Sequence, residues 1–138
     1  LRPLLAERPA SLVIVNRDIG KARQVVGELG HEPRARCCGY AELGAERFDV
    51  VVDGTSASLR GELPPIPATV FAPGATAYEM VYGKGLTPFL LLARQAGAVR
   101  LADGVGMLVE QAAEAFTWWR GVRPATAPVI ERLAVPLT

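Results

Sequence analysis

A parallel α/β sheet is the fold class this sequence predicts, on three observations. Short apolar, β-branched runs such as Ser11-Leu-Val-Ile-Val15 and Phe48-Asp-Val-Val-Val52 read as buried strands. Stretches of helical spacing separate these runs, and strand–helix alternation is the mark of a parallel sheet. The residues best suited to ligands fall at the carboxyl ends of the strands, where such sheets bind them. The chain has 138 residues, 50% of them hydrophobic, enough for one domain with a real core. Its 15 basic and 14 acidic residues leave a net charge of +1, which gives no support to nucleic acid or a membrane surface as partner. No apolar run approaches the ~18–20 residues of a membrane span.

Leu1-Arg-Pro-Leu-Leu-Ala-Glu7 reads as the tail of a helix already under way, so the chain is expected to be a fragment or to lack its beginning. The strand over 11–15 ends at Asn16-Arg17-Asp18, and Asp18 can cap the helix expected over 19–29. Gly30 stops that helix. A second strand is expected over 34–38, a turn of helix over 40–43 and a third strand over 48–52. Prolines 64, 65, 67 and 73 make 57–73 a loop with at most a single helical turn. A fourth strand is expected over 75–82. Thr87 before Pro88 fits an N-cap followed by proline at the first helical position, opening a helix that runs to Gln95. A short strand over 99–102, a long helix over 103–120 and a last helix over 126–134 complete the order.

Several residues could carry chemistry. Asn16-Arg17 stands where an NAD-binding fold usually places an acid for the ribose hydroxyls; a guanidinium there favours a 2′-phosphate. Lys21, one turn on, adds charge, while Asp18 either repels that phosphate or only caps the helix. Thr55 and Ser56, at a strand end, offer hydroxyls to a ribose or diphosphate, or form an ordinary turn. Asp103-Gly104 opens the long helix, and Met107 and Gln111 follow on one stripe. A thioether beside a primary amide suits a cleft for a flat ring and a hydroxylated ligand. Tyr82 either presents its phenol to a polar ligand or packs at a strand end. Trp118 and Trp119 are expected in packing, the lone His31 and Lys84 at the surface. Adjacent Cys37 and Cys38 read as reduced thiols on a buried strand, as in a cytoplasmic protein. His31 is the only histidine and stands just after a helix stop, so neither a nucleophilic triad nor a histidine metal site is expected.

Four segments together resemble the cofactor portion of shikimate dehydrogenases: Val13-Ile-Val-Asn-Arg-Asp18; Phe48-Asp-Val-Val-Val-Asp-Gly-Thr-Ser56; Tyr78-Glu-Met-Val-Tyr82 with Thr87-Pro-Phe-Leu90; and Asp103-Gly-Val-Gly-Met-Leu-Val-Glu-Gln-Ala-Ala113. The resemblance runs from one end of the chain to the other, and the last two segments are its most specific part. It implies NADPH-dependent reduction of 3-dehydroshikimate to shikimate, with a quinate/shikimate paralogue or a non-catalytic nucleotide-binding module as alternatives. It implies that Asn16, Arg17, Asp18 and Lys21 lie at the adenosine 2′-phosphate, and Thr55 and Ser56 along the cofactor. Gly104 and Met107 would flank the nicotinamide, and Tyr82 and Gln111 would reach the substrate near its carboxylate and hydroxyls.

The chain departs from the family pattern. Asp53-Gly54 stands for the usual Asn-Ala, Asp18 for a common Thr or Ser, and Glu79 and Val81 for Asp and Phe. No glycine-rich phosphate loop precedes the first strand here, and no counterpart is found of the amino-terminal substrate domain with its catalytic Lys–Asp pair. The expected fold is therefore an incomplete Rossmann-like parallel sheet with flanking helices, the first strand and glycine-rich loop missing. Residues 1–138 would be a partial dinucleotide-binding domain including the C-terminal helices. Because that first strand is central in the order 3-2-1-4-5-6, its loss would leave two strand groups with unpaired inner edges, and independent folding is not expected.

Overall fold

The computed structural model describes residues 1–137. The chain divides into two compact units, Leu1–Glu46 and Arg47–Thr138, and its five strands fall into the two expected groups, both parallel.

The first unit holds α1 (Arg2–Ala6), β1 (Leu12–Val15), α2 (Ile19–Gly27), β2 (Ala35–Cys38) and a 3-10 turn over Tyr40–Glu42. β1 and β2 pair from Leu12 opposite Ala35 to Val15 opposite Cys38. The helix after β1 ends two residues sooner than its apolar spacing suggested. Leu29 and Gly30 leave it through tighter turns onto Val26 and Gly27, and Gly30 takes φ +72°, a conformation glycine adopts without a Cβ penalty. Leu5, Ala22, Cys38 and Leu43 form a small core. Cys37 and Cys38 are free thiols, and burial pushes the Cys38 thiol above its ordinary pKa.

The second unit holds β3 (Phe48–Asp53), β4 (Phe71–Glu79), α3 (Pro88–Gln95), β5 (Arg100–Ala102), α4 (Val105–Arg120) and α5 (Ala127–Leu133). Its strand order is β3-β4-β5. β4 differs from expectation: it begins at Phe71 and ends at Glu79, so Met80–Tyr82 is loop. The strand passes Pro73 and Gly74 because the register slips there. Phe48 faces Phe71 but Val50 faces Thr76, and Gly74 takes φ +80°. Two 3-10 turns, Ala57–Arg60 and Ala68–Val70, occupy the proline-rich loop, one more than expected. Thr87 caps α3 by accepting from the Leu90 N–H. Phe89, Leu90 and Ala93 of α3 are buried, as are the alternating Ala75, Ala77 and Glu79 of β4, and the Phe71 and Phe89 rings lie 5.8 Å apart. Trp118 and Trp119, expected in packing, are 91% and 78% exposed near the end of α4. Among the described residues no helix is long and apolar enough to cross a membrane, and no cluster of His, Cys, Asp and Glu could hold a metal ion.

Candidate functional site

In the first unit the candidate residues follow β1. The Asn16 side-chain oxygen accepts from the Asp18 N–H at 3.0 Å. Asp18 Oδ1 in turn accepts from the N–H groups of Gly20 at 3.0 Å and Lys21 at 3.3 Å. The carboxylate is thus spent on the amino end of α2, so of its two expected roles the structure shows the cap. Arg17 and Lys21 are exposed, and among the described residues neither is in an ion pair. Two unneutralised cations beside a neutral amide form a donor set that fits a phosphate monoester.

In the second unit three loops are held together by bonds between residues distant in sequence. At the end of β3, Asp53 is 4% exposed, its Oδ1 accepting from the Thr55 N–H at 2.8 Å. The acid that replaces the family's amide is therefore turned inward. Thr55 Oγ1 accepts from the Ala57 N–H, while Ser56 stays exposed and its hydroxyl accepts from Arg60 at 3.3 Å. The Met80 N–H donates to the Asp53 carbonyl at 2.9 Å, joining the loops after β3 and β4. Lys84, read as solvated, donates to the Leu59 carbonyl at 3.3 Å while remaining exposed.

Gly104 is buried against the loop after β4. Its N–H donates to the Val81 carbonyl at 3.2 Å, and a Cβ at this position would lie 2.1 Å from the Met80 carbonyl oxygen. Only glycine permits so close an approach. Asp103 accepts from the Gly83 N–H through Oδ2 at 3.3 Å and from the Val105 N–H through Oδ1 at 3.1 Å. These contacts bring Tyr82 to the amino end of α4, with Tyr82 45% and Met107 37% exposed. Gln111 is exposed one turn beyond Met107, its amide donating to the Leu108 carbonyl at 3.0 Å. Burial, and after it the Asp103 charge, push the Tyr78 phenol above its ordinary pKa.

Two contributions were missed in the sequence. The fully buried Glu79 carboxylate accepts from the Thr87 hydroxyl, fastening the end of β4 to the cap of α3; Glu79 sits in alternation with Ala75 and Ala77, the pattern that could have marked it as buried. The second is the double contact of Asp103, for which an acid just before a helix was the available sign.

Comparison with known proteins shows what this chain resembles. Residues 104–134 match the family model described as the shikimate 5′-dehydrogenase C-terminal domain. A protein of Dechloromonas aromatica named shikimate dehydrogenase (NADP(+)) is 53% identical over 99% of this chain and 50% of its own length. Over nearly its whole length this chain is similar to shikimate dehydrogenases. A second shikimate dehydrogenase (NADP(+)), from Methylococcus capsulatus, is also 53% identical, over 96% of this chain and 48% of its own length. The chain spans about half the length of the curated shikimate dehydrogenases it matches. Among solved structures, an Ael1 enzyme from Pseudomonas putida is 58% identical, with a TM-score of 0.91, over 99% of this chain and 50% of that one. The shikimate 5-dehydrogenase of Thermus thermophilus, solved with NADP(H) and shikimate, is 27% identical with a TM-score of 0.74, over 92% of this chain and 46% of that one.

Proposed function

We propose that this chain is the cofactor-binding part of an enzyme that reduces 3-dehydroshikimate to shikimate with NADPH. The observation that carries this reading is the likeness of nearly the whole chain to proteins named shikimate dehydrogenase (NADP(+)). The free cations after β1 support the choice of NADP over NAD. In this reading Asn16, Arg17 and Lys21 hold the adenosine 2′-phosphate, and Asp18 serves them by ordering the first turn of α2. Thr55 and Ser56 lie along the cofactor, and Gly104 and Met107 hold the nicotinamide. Tyr82 and Gln111 contact the substrate. The cofactor, when bound, supplies a hydride to the ketone carbon. The residues of this chain hold the partners at contact distance, which by itself can be a large share of catalysis. The proton comes from the Lys–Asp pair of the substrate domain that the resemblance implies. We place the protein in the cytoplasm, where its free thiols Cys37 and Cys38 stay reduced.

The test is to purify the protein from its source and measure NADPH consumption with 3-dehydroshikimate, with quinate and NAD as controls. The proposal expects turnover of 3-dehydroshikimate with NADPH in preference to NADH. Protein that binds NADP but turns over neither shikimate nor 3-dehydroshikimate would refute the enzymatic reading and leave a nucleotide-binding module.

A further inference from the structure

We propose that Asp103 is a positioning residue that fixes the backbone on both sides of Tyr82. Tyr82 is bracketed: the carbonyl before it, on Val81, accepts from the Gly104 N–H at 3.2 Å, and the N–H after it, on Gly83, donates to Asp103 Oδ2 at 3.3 Å. Tyr82 itself is left 45% exposed. Fixed backbone with an accessible side chain is the arrangement a contact residue needs, because a bound ligand then orders little that was free. The two oxygens of Asp103 do separate work. Oδ1 accepts from the Val105 N–H, two residues on, a local turn that any Asx residue can make. Oδ2 reaches across 20 residues to the other loop. Only an ionised carboxylate offers both acceptors, since asparagine has one oxygen and presents a donor where the second would be. The Gly104 contact makes the arrangement possible, because the backbones meet where a Cβ would lie 2.1 Å from the Met80 oxygen. The value of the tie to substrate rests on the reading of Tyr82 as a substrate contact.

Asp103→Asn separates the two contacts. Its amide oxygen keeps the Val105 turn, while its NH2 group faces the Gly83 N–H. Hydrogen exchange at the Gly83 amide is expected to quicken roughly threefold to tenfold, the effect of losing one exposed hydrogen bond, with Val105 unchanged. The urea midpoint should hold, shikimate measured in the presence of NADP should bind weaker by a similar factor, and NADP affinity should stay the same. Asp103→Ala, which loses both acceptors, should release Val105 as well. Gly83 exchange that is unchanged in Asp103→Asn overturns the tie. Shikimate and NADP affinities that fall together with the urea midpoint overturn the positioning role and leave a structural one. Protein purified from its source that binds no shikimate refutes the reading of Tyr82, and the Gly83 exchange still decides whether the tie exists.

Discussion

The loop after β1 and the loops around Gly104 both end strands of a parallel sheet, yet they are held in opposite ways. From Asn16 to Lys21 the side-chain bonds that shape the loop are local, spanning two or three residues. Around Gly104 the holding bonds span tens of residues: Met80 to Asp53, Gly104 to Val81, Gly83 to Asp103, Lys84 to Leu59. A loop built from local bonds can present charge to solvent, because its own short sequence sets its shape. A loop built from distant bonds is set only when the unit folds, and in return it can fix an apolar and a phenolic side chain near one backbone junction. The first arrangement suits recognition of an anionic group and the second suits a defined contact surface.

Glycine substitution should break the comparison most sharply. In Gly104→Ala the new Cβ meets backbone that cannot swing aside. The expected loss is about 2–3 kcal/mol of unfolding free energy, the upper part of the range for overpacking. In Gly20→Ala the Cβ meets only the end of the Asp18 side chain, at 3.1 Å. Alanine also favours the helix over glycine, so the two effects nearly cancel, leaving a change within about 0.5 kcal/mol. Urea unfolding of both variants checks the pair; equal losses would erase the distinction between the regions.

Arg17→Ala is the next largest expected effect. On the proposed role of Arg17 at the 2′-phosphate, removing its guanidinium should weaken NADP binding roughly tenfold and leave NAD binding as it was. Calorimetric titration with both cofactors reads it. A parallel fall for NAD and NADP would place the guanidinium somewhere other than the 2′-phosphate.

The same division explains what was legible in the sequence. Asp18, Thr87 and Pro88 announced their helices because capping is a local contest between side chain and backbone. The strands over 12–15 and 48–53 were marked by β-branched runs. Helical spacing placed Met107 and Gln111 one turn apart on one helix, as α4 has them. What could not be read was set by pairing at a distance. The early start of β4 depends on a register slip against β3 that lets Pro73 pass. Burial of Asp53 and Glu79 depends on neighbouring strands, where the two residues face each other in register. The exposure of Trp118 and Trp119 ran against aromatic composition, which indicates apolar surface without saying what covers it.

The smallest expected effect concerns a local ion pair. The Arg34 guanidinium and N–H, both bonded to the Glu32 carboxylate, lower its pKa from 4.5 to about 2. A depressed folded pKa means a contribution fully present above the unfolded value and lost as pH falls through the folded one. The turn before β2 should therefore hold at neutral pH and loosen between about pH 4.5 and pH 2. Following the Glu32 side-chain carbon by NMR checks the midpoint. Glu32→Gln should shift stability at neutral pH only slightly, since a half-buried pair at the surface, two residues apart in one turn, contributes little.

Mapping NADP onto the backbone amides would show whether the locally built loop takes its phosphate end and the loops around Gly104 its nicotinamide end. The protein would be labelled with 15N and titrated with NADP, then with adenosine 2′,5′-bisphosphate, which carries the phosphate end alone. Both ligands should shift Asn16–Lys21, and NADP alone should shift Gly104–Met107. Shifts from the bisphosphate at Gly104–Met107, or none from either ligand at Asn16–Lys21, would contradict this assignment.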